Sequence, residues 1–124
     1  MPAKALCLVA ALCGPAAQAG GLIKVDNALA HCVELRPGVR TTTAQQVMLQ
    51  VDLNVKKSIG ECGCKSAISA YTSEVQMEEG HRSFLQRGAL TIQRSGVKTL
   101  TLASDEQLVR DRGIVLSLSC GGAG

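Results

Sequence analysis

Aromatic residues are nearly missing from this chain: its 124 residues include no Trp, one Tyr and one Phe. Single-stranded nucleic-acid binders depend on ring platforms for stacking, so that class is disfavoured at the outset. Charge of one sign is also lacking. Thirteen Lys+Arg stand against ten Asp+Glu, a formal net charge of +3 with no clustered basic stripe, which gives no footprint for nucleic acid. Proline is scarce at three residues, and no run approaches the roughly 18 apolar residues that a spanning helix requires. No Gly-rich phosphate loop, G-x-S-x-G elbow or H-E-x-x-H helix occurs. Glu78, Glu79, Asp52 and Asp105 supply carboxylates, but no loop carries calcium-ligand spacing. The length allows one domain. No catalytic constellation emerges, and no cofactor is expected.

What the chain has in excess is cysteine, six residues in all. Two of them, Cys7 and Cys13, fall within residues 1–19, which read as a secretory signal peptide. Lys4 gives a short positive start and residues 5–13 an apolar run. Gly14-Pro15 breaks that run, and Ala17-Gln18-Ala19 has the small-x-small pattern of a cleavage site. Leu6 and Leu12 precede the two cysteines, where a lipid-attachment cysteine wants a small residue. Removal of the signal would leave residues 20–124 as a single domain holding Cys32, Cys62, Cys64 and Cys120. An even number of cysteines in a short exported chain points to disulfides, and hence to a periplasmic or secreted protein.

Period-two alternation dominates the remainder. Val47, Leu49, Val51, Leu53 and Val55 form one face of a half-buried strand, with Met48, Gln50, Asp52 and Asn54 on the other. At the end of the chain Ile114, Leu116, Leu118 and Cys120 alternate with Val115, Ser117 and Ser119. The apolar Val115 in the outer row marks that strand as more central. Residues 66–77 fit a strand presenting Ser69, Tyr71, Ser73, Val75 and Met77 on one face. Residues 23–33 suggest a first strand with Cys32 on or beside it. Residues 90–92 and 100–102 flank Arg94-Ser95-Gly96 in the manner of a hairpin. Turns are expected at Pro37-Gly38, 60–63, Glu79-Gly80 and Gly113. One short helix is expected near 105–111, N-capped by Ser104 with Gln107 in the capping-box position. Short strands with this punctuation predict an all-β, antiparallel, immunoglobulin-like β-sandwich, with a small open β-barrel as the alternative.

The sharpest local feature is Lys57-Ser58-Ile59-Gly60-Glu61-Cys62-Gly63-Cys64-Lys65-Ser66, directly after the best strand. Through this segment, the following residues 67–71 and the closing Ser117-Leu118-Ser119-Cys120, the chain resembles a small family of exported bacterial proteins of unknown function. The resemblance covers most of residues 28–120. It implies a periplasmic or secreted single domain and brings no catalytic residues with it.

The cysteines themselves leave three chemistries open. A Cys62–Cys64 bond requires a turned backbone, because alpha carbons two apart on a strand stand ~6.5–7 Å from each other. Alternatively, Cys62 and Cys64 each pair with Cys32 or Cys120, with the choice of partner undetermined. Such long-range bridges suit an aromatic-poor core. In the redox reading, Cys62-Gly63-Cys64 is a reducible dithiol beside Lys65. In the metal reading, thiolates with His31 or His81 hold Cu(I) or Zn(II). The disulfide reading is preferred, since an oxidising compartment removes free thiolates and no thioredoxin-like βαβ pattern surrounds the motif. His81, Arg82, Arg87, Arg94 and Lys98 form a loose basic stretch. It would meet lipid headgroups or acidic polymers, or simply serve as a solvated, charged sheet edge. The expected role is a structural or interaction module with a protein or envelope partner, without nucleic acid and without a membrane span.

Overall fold

The computed structural model describes residues 22–121; the expected signal peptide lies outside them. Seven strands form two sheets: β1 (Ile23–Asn27), β2 (Val33–Thr43), β3 (Gln46–Val55), β4 (Ile68–Gln76), β5 (Arg82–Thr91), β6 (Gly96–Ala103) and β7 (Ile114–Cys120). One sheet has the order β1-β7-β4-β5 and the other β2-β3-β6. β1 runs parallel to β7, and the remaining pairs are antiparallel. The architecture is therefore an all-β sandwich. Its strand order differs from the immunoglobulin partition of ABED against CFG, so the likeness is one of layers rather than connectivity.

Alternation builds the core as pleat geometry requires. Val47, Leu49, Val51 and Leu53 of β3 are buried, and Ile114, Leu116 and Leu118 of β7 face them from the other sheet's interior face. Each such aliphatic side chain contributes about 1.5–3 kcal/mol by leaving water. β7 lies between β1 and β4, which accounts for the apolar Val115 in its outer row, flanked by Lys24 and Glu74. Tyr71 is buried in the core, whereas Phe84 stands exposed on β5. The interior is thus almost wholly aliphatic.

Ser73 and Tyr71 on the inner face of β4 join the two sheets by hydrogen bonds. Ser73 Oγ donates to the Leu102 carbonyl on β6, while Ser69 Oγ donates within its own sheet, to the Leu90 carbonyl of β5 (2.7 Å). The Tyr71 hydroxyl donates to the Thr101 carbonyl (3.0 Å) and accepts from the Thr101 N–H (3.3 Å). No buried side-chain N or O among the described residues lacks a partner. Burial holds the Tyr71 hydroxyl above its ordinary value, partly offset by the Thr101 backbone contact. Because Tyr71 is the sole tyrosine, absorbance at tyrosinate wavelengths reads it directly. Its midpoint should lie above about 10 in the native protein and return to about 10 in denaturant. A phenol whose folded pKa is raised gives stability present below about pH 10 and lost as pH rises through the folded value. Tyr71→Phe should remove that alkaline loss.

Four sequence expectations are corrected. Residues 90–102 do not form a hairpin: β5 pairs only with β4, β6 only with β3, and the intervening turn crosses between sheets. Thr91 and Gly96 mark a corner because the apolar faces of β5 and β6 must both turn inward. Pro37-Gly38 is not a chain reversal but a bulge within the eleven-residue β2, shifting register between Pro37 and Arg40. Proline fits there because its missing N–H falls on an edge strand. The helix near 105–111 shrinks to a 3-10 turn at Glu106–Leu108. Its cap is Asp105 rather than Ser104, with Oδ1 accepting from Gln107 N–H at 2.9 Å. Val109 is fully buried and Arg110 takes a positive φ of 56°, so the chain leaves the helical path at once to plug the core.

The reversal between β2 and β3 instead falls at Ala44-Gln45, both exposed and at positive φ (49° and 73°), as a two-residue type I′ turn demands. Neither residue is suited to that region, which costs an ordinary L-residue about 1–2 kcal/mol. Replacing the pair by Asn-Gly (Ala44→Asn with Gln45→Gly) should stabilise the domain by about 1 kcal/mol after the glycine's added chain entropy. Thermal unfolding would show this as a rise of about 4–8 °C. An unchanged or lower midpoint would contradict the turn assignment.

Candidate functional site

The four cysteines singled out by sequence gather at one end of the sandwich, where the Cys62-Gly63-Cys64 loop leaves β3 and returns as β4. Ser58 opens a 3-10 turn, Ile59–Cys62, by accepting from Gly60 N–H at 3.2 Å. Ile59 is buried and anchors the loop in the core. Gly63 closes the turn in the left-handed region (φ 98°, ψ 1°), and its N–H donates to Gly60 O at 3.1 Å. This conformation is open to glycine at little cost. It takes the backbone out of an extended path, so the two flanking cysteines address different neighbours.

Cys62 bonds to Cys32 with alpha carbons 6.2 Å apart, and Cys64 bonds to Cys120 with alpha carbons 5.1 Å apart. Cys32 ends a tight turn just before β2. Its N–H donates to Leu29 O (2.9 Å), and its carbonyl accepts from the N–H groups of Lys56 and Lys57 (2.7 and 3.1 Å). Asn27 holds the same turn, with Oδ1 accepting from Leu29 N–H and Nδ2 donating to Val33 O, both at 2.8 Å. Cys120 closes β7 opposite Ser69 of β4. The two bridges thus staple three segments: the turn before β2, the loop before β4 and the end of β7.

This arrangement decides what the motif can do. Cys62 and Cys64 are not bonded to each other, and each sulfur belongs to a bridge with a distant segment. Cys32 is fully buried and Cys64 nearly so, while their partners Cys62 and Cys120 are half-buried. His31 adjoins Cys32, whereas His81 follows the β4–β5 turn at the far end of β4. The nine residues of that strand separate the histidines by roughly 26 Å, so they do not converge with the sulfurs. Among the described residues, no group of three or more His, Cys, Asp or Glu side chains is placed to hold a metal ion. Lys65 and Lys57 are exposed on the loop.

At the opposite end, an open depression is lined by Met77, Glu78, Glu79, His81 and Arg112. Sequence reasoning named Glu78, Glu79 and His81 singly, as carboxylates, a candidate ligand and a turn, but not as one depression with Met77 and Arg112; Glu79 takes a positive φ of 58° there. Arg82, Arg87, Arg94 and Lys98 lie exposed along β5, the following turn and β6. No helix among the described residues is long and apolar enough to cross a membrane.

Comparison with protein families matches residues 6–123 to a family described as an uncharacterized protein conserved in bacteria (DUF2195). No curated protein and no solved structure matches the chain. Since the match spans nearly the whole chain, the protein belongs to this bacterial family.

Proposed function

We propose that this family member is an exported, disulfide-stabilised β-domain that serves the bacterial envelope as an interaction module rather than through chemistry at its cysteines. The observation that carries the reading is the pairing itself. All four cysteines of the described residues are committed to bridges between distant segments, Cys32–Cys62 and Cys64–Cys120. Bridges of this kind form and persist in oxidising compartments. The signal-like residues 1–19 support the same compartment. The competing redox and metal readings both required Cys62 and Cys64 as neighbouring thiols, and neither sulfur is free.

The test is expression of the full chain in a bacterium, followed by fractionation and intact mass measurement. The expected species begins at Gly20, leaves the cell or enters the periplasm, and shows no alkylatable thiol after denaturation. Its mass should fall by about 4 Da for two closed bridges. A full-length cytoplasmic chain with reactive thiols would overturn the reading.

A further inference from the structure

We propose that the outer edge of β5 is a docking strand for an extended acidic segment of another envelope protein, which joins the β1-β7-β4-β5 sheet as a fifth strand. This rests on the reading of the chain as an interaction module. The sandwich has four edge strands, and three of them are managed. β1 is five residues long, and the Asn27 side chain ties the chain that follows it into a turn. β2 is interrupted by Pro37 and its bulge. On β6 the Tyr71 hydroxyl occupies both the N–H and the carbonyl of Thr101, and Ser73 occupies the Leu102 carbonyl. β5 is different: it has ten residues and no proline. Among the described residues, no loop or side chain hydrogen-bonds its backbone between Arg82 and Ala89. An edge left in this state is a template for another strand.

Its side chains define the partner. The register shift between Ser73 and Glu74 inserts Leu85, which packs towards the core. Arg82, Phe84 and Arg87, paired with Gln76, Glu74 and Thr72, are therefore all on the outer face. Phe84 is 63% exposed, in a chain with only one other aromatic ring. Glu74 is bonded to Arg82 at 3.4 Å, while Arg87 has no ion pair among the described residues. The complementary strand carries an apolar residue opposite Phe84 and acids opposite the arginines. A headgroup layer could meet the charge but not the row of backbone N–H and C=O groups. A second copy would bring the same arginines to both sides of the seam.

The probe is the peptide acetyl-Thr-Glu-Thr-Val-Thr-Glu-Thr-amide, titrated into nitrogen-15-labelled oxidised protein. Amide shifts should be confined to β5 and the facing residues of β4. Arg82→Glu with Arg87→Glu should weaken binding at least about tenfold, and Phe84→Ala at least about threefold. Lys in place of both peptide glutamates should abolish it. If the double variant does not fold, Arg87→Gln and titration at about 500 mM salt read the same electrostatic contribution, each weakening binding. Shifts centred on another strand, or equal binding of the lysine peptide, would overturn the proposal. So would concentration-dependent dimerisation through β5 without peptide, or binding to anionic phospholipid vesicles with the peptide ignored. An exported, oxidised chain that ignores the peptide refutes the docking strand alone. A reduced cytoplasmic chain refutes the module reading whatever the peptide does.

Discussion

Loss of both disulfides should unfold the domain at ordinary temperature. The two closed loops span 30 and 56 residues and do not overlap in sequence. Chain entropy therefore assigns about 3.7 kcal/mol to the first bridge and about 4.2 kcal/mol to the second. Measured values usually fall somewhat lower, at about 2–4 kcal/mol each. A domain of this size has only about 5–15 kcal/mol in total, and this one draws on a small aliphatic core holding a single ring. Cys32→Ala with Cys62→Ala, and Cys64→Ala with Cys120→Ala, should each lower urea-unfolding stability by about 2–4 kcal/mol. The second pair should cost about 0.5 kcal/mol more, for its longer loop. Combined, or on full reduction, the cooperative transition should vanish at 37 °C. A reduced protein that keeps its unfolding midpoint would show that the bridges are not structural.

The other large effect lies at Gly88. A β-carbon there would stand 2.5–2.8 Å from Cε2, Cζ and the hydroxyl of Tyr71, which lies opposite it on β4. The ring crosses Gly88 to reach Thr101 on the other sheet, and it is held by two hydrogen bonds at that end. An aromatic side chain has only two torsions with which to evade the methyl. Gly88→Ala should therefore displace the hydroxyl and cost about 2–4 kcal/mol, combining overpacking with unpaired groups at Thr101. Chemical denaturation measures the loss, and a double-mutant cycle assigns it. In a Tyr71→Ala background the cost should vanish or reverse, since alanine suits a strand better than glycine. An equal penalty in both backgrounds would mean that Gly88 serves some purpose other than making room for the ring.

Much of the sandwich was legible because side-chain alternation along a strand is a local property. Val47 to Val55 spelled β3, Ser69 to Val75 gave the buried face of β4, and Val115 marked β7 as central. The failures share a different origin. Pro37-Gly38 and Arg94-Ser95-Gly96 carry turn chemistry, yet whether such a site reverses, bulges or changes sheet depends on which strands are neighbours. Ala44-Gln45 reverses the chain with residues that advertise nothing, because the flanking strands β2 and β3 impose the turn. The same dependence left the disulfide partners open: strand order, not spacing, brings Cys120 to Cys64 and leaves Cys32 beside Cys62. The β5 edge was visible only as scattered arginines. Its significance arises once Tyr71 and Ser73 are seen to cap β6, and Leu85 to fill the bulge that gathers Arg82, Phe84 and Arg87.

The most direct test of an exported domain stapled in this way is mapping of tryptic fragments without reduction. Trypsin leaves Cys62 and Cys64 together in fragment 58–65, with Cys32 in 25–40 and Cys120 in 113–124. Protein recovered from outside the cytoplasm should yield all three fragments in one cluster. Fragmentation at Gly63 should then separate a Cys32–Cys62 half from a Cys64–Cys120 half. Fragment 58–65 released alone, with Cys62 bonded to Cys64, would contradict the stapled domain and restore the redox motif.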